Sequence, residues 1–124
     1  MPESITWSLA ASGTPGPTIQ ATGKTPGDGF ISISLEVEKS SGPTDHNLQV
    51  DNVDKVNFLL ISSDLLDGKI SVKADRTDAT PLTGPLLLVG AAVKLFANNL
   101  TTLTVTNSST EKKATLFVLI GLTL

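Results

Sequence analysis

Phe30-Ile31-Ser32-Ile33-Ser34-Leu35-Glu36-Val37-Glu38 alternates apolar and polar side chains without a break. Successive side chains of a strand point to opposite faces, so Ile31, Ile33, Leu35 and Val37 share one face while Ser32, Ser34, Glu36 and Glu38 share the other. A strand with one dry and one wet face belongs to an antiparallel sheet lying on a core. The same period of two sets Ile70, Val72 and Ala74 between Lys69, Ser71 and Lys73, and sets Leu103 and Val105 among Thr102, Thr104 and Thr106. Further strands are predicted over residues 5–10, 17–22, 48–50, 56–62, 86–89, 93–96 and 114–122, where β-branched and other apolar residues recur.

Breakers separate these segments. Gly13-Thr14-Pro15-Gly16-Pro17, Thr25-Pro26-Gly27-Asp28-Gly29, Ser40-Ser41-Gly42-Pro43 and Pro81-Leu82-Thr83-Gly84-Pro85 read as loops that no helix or central strand would tolerate. Asp67-Gly68 predicts a tight type I′ hairpin between the segment ending at Leu66 and the strand from Lys69. The polar stretch 107–113 predicts a second hairpin, pairing the last two strands. A helix over 86–97 is the weaker alternative there, because Gly90 interrupts it and Leu86-Leu87-Leu88-Val89 suits a strand buried on both faces. About eight to ten short strands at this spacing predict one all-β domain over 1–124, an antiparallel β-sandwich, jelly-roll-like, with little helix.

Composition removes several function classes. With no Cys there is no disulfide framework, thiolate zinc site or cysteine nucleophile, and a lone His46 removes histidine-cluster metal sites. A net charge of −3 argues against a nucleic-acid footprint and against a polybasic membrane patch. Trp7, Phe30, Phe58, Phe96 and Phe117 are the whole aromatic complement, so stacking surfaces for bases or sugars are scarce. The N-terminus Met1-Pro2-Glu3-Ser4-Ile5 does not read as a signal peptide, and the apolar runs are shorter than the roughly 20 residues that span a bilayer. The sequons at Asn99 and Asn107 are then expected to be idle.

Each candidate for chemistry has a plainer explanation. Gly23-Lys24-Thr25 mimics the end of a phosphate loop, yet the partner glycine position holds Thr18 and Pro26-Gly27 blocks the helix that would aim its amides at an anion. His46 follows Asp45, but no Gly-x-Ser-x-Gly elbow marks a nucleophile, so it reads as a solvated loop histidine. The acidic loops Asp51-Asn52-Val53-Asp54 and Asp75-Arg76-Thr77-Asp78 lack the twelve-residue calcium pattern. Asp64 and Asp67 read as turn formers. Trp7, in phase with Ile5 and Leu9, is expected in the core. No catalytic, cofactor-binding or metal-ligating residue is assigned, and the chain is expected not to be an enzyme.

The C-terminus carries the strongest anomaly. Leu116-Phe117-Val118-Leu119-Ile120 is apolar on both faces of one strand. Surplus two-sided apolar strand in a small β domain predicts that another chain covers the second face, most simply in a closed homo-oligomer, a trimer or dimer.

The absence of Cys and of a signal peptide, the Thr/Ser-rich strands, and Asn99-Leu100-Thr101-Thr102-Leu103-Thr104-Val105-Thr106-Asn107 followed by a polar loop and the strand from Ala114 to Gly121 together resemble a known group. The chain is similar in style, mainly over residues 56–124, to the small all-β structural proteins of tailed-phage virions, of the head decoration (cement) or fibre-base type. The resemblance implies a non-enzymatic virion protein, an oligomer in contact with a capsid or tail subunit; from the charge, neither nucleic acid nor membrane is an expected partner. The alternative class is a lectin-like or receptor-binding β-module that holds carbohydrate with loops such as 75–80.

Overall fold

The computed structural model describes residues 3–12, 18–27, 29–48, 50, 53–75, 78–98 and 100–122. Ten strands follow in order: β1 (Glu3–Ser12), β2 (Thr18–Gly27), β3 (Gly29–Val37), β4 (Ser41–Asn47), β5 (Val56–Ser63), β6 (Ile70–Lys73), β7 (Thr80–Pro81), β8 (Leu86–Val89), β9 (Thr102–Asn107) and β10 (Ala114–Leu122). Among the described residues helix is confined to two short 3₁₀ segments, Val53–Lys55 and Gly90–Leu95. The fold is an all-β sandwich, as the alternating pattern predicts.

The pairing is nested. β3 lies antiparallel to β10, β4 to β9, β5 to β8 and β6 to β7, so the eight strands pair first with last like one long folded hairpin. Two further ladders, β10 with β5 and β9 with β6, set these pairs side by side. The result is two four-stranded sheets, β3-β10-β5-β8 and β4-β9-β6-β7, while β1 and β2 pair with each other as a separate hairpin.

The inward faces meet in one cluster. Val37, Leu59, Ile61, Leu116, Val118 and Ile120 from the first sheet pack with Ile70, Val72, Leu103 and Val105 from the second. Each fully buried aliphatic side chain of this kind contributes roughly 1.5–3 kcal/mol. Connecting segments add Leu48, Leu82, Val93, Phe96 and Leu100 to the same cluster.

Both predicted hairpins are corrected. At Asp67-Gly68 only the glycine has a positive φ, 87°, whereas a type I′ turn needs two such residues. Asp67 Oδ1 instead accepts from the Lys69 amide at 3.1 Å, a local turn that sends the chain from β5 in one sheet to β6 in the other. The 107–113 loop likewise crosses between sheets, since β9 pairs with β4 and β6 and β10 with β3 and β5. Residues 93–96 are not a strand: Gly90, at φ 64°, turns the chain out of β8 and into the 3₁₀ segment that buries Val93. The segment around Leu48 and Val50 is irregular, and the strand lies just before it, in β4, running through the Gly42-Pro43 pair where the sequence predicts a loop. A proline is tolerated there because β4 is an edge and its register breaks between Ser41 and Thr44. Thr25-Pro26-Gly27 is also strand, within the two-stranded β1–β2 ladder. The side chain of Trp7 lies outside the described residues, as do Asp51, Asn52, Arg76, Thr77 and Asn99.

Candidate interaction surface

β10 is the strand apolar on both faces, and the topology makes it central. β3 flanks it on one side and β5 on the other. Leu116, Val118 and Ile120 point into the sandwich and are fully buried. Phe117 and Leu119 therefore point outward, by the alternation of the strand.

Residues opposite one another in a ladder share a face, so the registers define the outward rows. One row runs Phe30, Gly121, Phe58, Val89; the next runs Ser32, Leu119, Leu60, Leu87. A third holds Ser34, Phe117 and Ser62, and a fourth Glu36 and Thr115. Among the described residues Phe117 and Phe30 are the half-exposed aromatic rings, at 49% and 50%. Leu60, Leu87, Val89 and Leu119 are each partly exposed, while Phe58 is buried at 2%. The outer face thus carries an apolar area on its β10–β5–β8 side, grading into Ser32, Ser34 and Glu36 on β3. Leu119 and Phe117 were legible in the two-sided run. The phase of Phe30 with Ser32 and Ser34 carries the same information in the sequence.

The candidates for chemistry are occupied elsewhere. Gly23-Lys24-Thr25 sits in β2, opposite Ile5, Thr6 and Trp7, with no helix following. His46 is a half-buried residue of β4 and not a loop residue. Asp45 projects to the opposite face of that strand, where it accepts a 2.6 Å hydrogen bond from the Thr104 hydroxyl, so it does not orient the imidazole. Asp75 Oδ1 accepts from the Asn98 amide at 3.1 Å. Asp67 is a turn former as expected, whereas Asp64 acts at long range: its Oδ1 accepts from the Thr115 amide at 2.9 Å and ties the end of β5 to β10. Asp54 lies 2.8 Å from Lys94 Nζ in an exposed ion pair. Among the described residues no group of three or more His, Cys, Asp or Glu side chains converges on a point. The Asn107 sequon is spent on structure, its side chain being buried.

Two hollows lie among the described residues near the sheet ends. A space of 180 Å³ beside Lys73, Asp78, Leu86, Leu88, Leu95 and Phe96 falls below the 300–1,000 Å³ usual for small-molecule sites. A polar hollow of 410 Å³ lies between the Asp67–Lys69 turn and the β9–β10 loop, lined by Ser108, Thr110, Glu111 and Lys112. No aromatic ring lines it. No helix among the described residues is long and apolar enough to cross a membrane.

No protein-family model matches the chain, and neither a curated protein nor a solved structure matches it significantly.

Proposed function

We propose that the protein is a non-enzymatic structural component of a virion, a capsid decoration (cement) or adaptor protein, that works as a homo-oligomer and docks on a capsid or tail subunit. The observation that carries this reading is the outward apolar face of β10, with Phe117 half exposed beside Leu119 and Leu60. Leaving such side chains in water forfeits roughly 25 cal/mol per Å² of apolar area, and contiguous apolar patches on a small protein mark contact surfaces. The use of Asp45, Asp54, Asp64, Asp67, Asp75 and His46 in turns, ties and strand faces supports the non-enzymatic half.

The nested first-with-last pairing of β3 to β10 supports a jelly-roll topology, an eight-stranded design that serves both capsid and lectin domains. A carbohydrate-binding module is therefore the second reading, favoured by the 410 Å³ polar hollow at the β9–β10 loop. Co-sedimentation of the protein with assembled tailed-phage capsids tests the first reading. Robust hits on a glycan array without capsid binding would replace it with the second.

A further inference from the structure

Four strands of the sandwich end a sheet: β3, β8, β4 and β7. Three of them are blunted. β8 has four residues and follows Pro85, β7 has two and includes Pro81, and β4 carries Pro43 at a break in register. Short length, proline and bulges are the devices that stop an edge from recruiting another strand. β3 has none of them. It is nine residues long, contains no Pro and no Lys, and has Glu36 as its one charge. The β1–β2 hairpin forms no ladder with it.

The inward face of this edge is also unfinished. Ile31, Ile33 and Leu35 pack against the core cluster yet remain partly exposed, whereas Leu116, Val118 and Ile120, their partners on β10, are fully buried. The β1–β2 hairpin touches β3, but no strand among the described residues pairs with its outer side, and the sequence of β3 is self-complementary. Turned about Ile33, Ile31-Ser32-Ile33-Ser34-Leu35 meets its own copy with Ile31 opposite Leu35, Ser32 opposite Ser34 and Ile33 opposite Ile33. Glu36 then falls opposite Phe30 and not opposite a second Glu36, so no like charges face each other.

We propose that two copies of the chain join at β3, antiparallel about Ile33, making one continuous eight-stranded sheet across a twofold axis. The inference rests on the reading of the protein as an assembly component and specifies its self-contact as a dimer. The seam covers Ile31, Ile33 and Leu35, satisfies the free backbone groups of β3, and leaves the outward face with Phe117 and Leu119 open on both copies. The occupant is a second copy, because the match of apolar to apolar and Ser to Ser is a property of this strand against itself.

The chain has no Cys, so single introduced thiols report the seam cleanly. Directly opposed residues of antiparallel strands have Cα atoms about 4.5–5.5 Å apart, within disulfide reach. Wild type is expected at twice the 12.9 kDa chain mass by light scattering at micromolar concentration. Under mild oxidation Ile33→Cys should form a covalent dimer. Ser32→Cys and Ser34→Cys, both at exposed positions that keep the fold, should cross-link when mixed and not when alone. A wild type of single-chain mass, or an oligomer that cross-links through Phe117→Cys but not Ile33→Cys, would overturn the seam. A folded Ile33→Cys covalent dimer that ignores capsids would instead defeat the docking reading while supporting the seam.

Discussion

The side chain of Asn107, in β9, donates from Nδ2 to the carbonyl oxygen of Val37, in β3, at 3.3 Å and so links the two sheets of the sandwich. The same nitrogen donates to the Lys112 carbonyl at 3.0 Å, and Oδ1 accepts from the Ser109 amide at 2.9 Å. Asn107 is 1% exposed, so these bonds replace water that cannot reach it. Replacing it by Ala leaves two carbonyls and an amide short of a partner. At about 1–3 kcal/mol for a buried group left unsatisfied, Asn107→Ala should lower the unfolding free energy by roughly 2–4 kcal/mol in urea titration. Asn107→Asp should be worse, since it sets a carboxylate against two carbonyl oxygens.

Val118 and Phe117 are neighbours on opposite faces of β10, 1% and 49% exposed. Val118→Asp places a carboxylate in the core and should abolish cooperative unfolding, because an unpaired buried charge costs several kcal/mol. Phe117→Asp should stay folded, with its unfolding free energy from urea titration within about 1 kcal/mol of wild type. Circular dichroism of the pair separates the two faces.

Gly68 and Gly84 make a second contrast. A Cβ built on Gly68 would meet Thr83 at an ordinary 3.5 Å, so the cost of Gly68→Ala is conformational: at φ 87° an L side chain is strained by about 1–2 kcal/mol. Gly84 has open space and no positive φ, and Gly84→Ala should be neutral or slightly stabilising. Equal melting temperatures for the two variants would contradict the turn geometry at Asp67-Gly68.

The Lys94–Asp54 ion pair joins the two 3₁₀ segments, with side chains 57% and 67% exposed. Pairs this wet are worth about 0–1 kcal/mol. Lys94→Ala should therefore shift stability by less than about 0.5 kcal/mol, and by less still in high salt.

What the sequence made legible follows the reach of each signal. The alternation in Phe30-Ile31-Ser32-Ile33-Ser34-Leu35 assigns β3 and its dry face from neighbours alone, and the structure agrees. Turn chemistry also acts locally: Asp67-Gly68 does bend the chain, but nothing in two residues says which sheet receives the next strand. The partners of β3 and β10 lie some eighty residues apart in the chain, and their pairing depends on the whole nested order. β4 was obscured by Gly42-Pro43 because a proline is read as a breaker unless the strand is known to be an edge. That β3 ends a sheet depends on the strand order and is not written in its own residues, while Phe117 and Leu119 are visible because a two-sided apolar run needs no topology to be recognised.

Co-sedimentation of wild type and Phe117→Asp with assembled tailed-phage capsids tests the central claim, that the outer face of β10 is the docking surface of a structural protein. Wild type is expected in the capsid pellet and the folded variant in the supernatant. Equal pelleting of the two, or wild type left wholly in the supernatant, would contradict it.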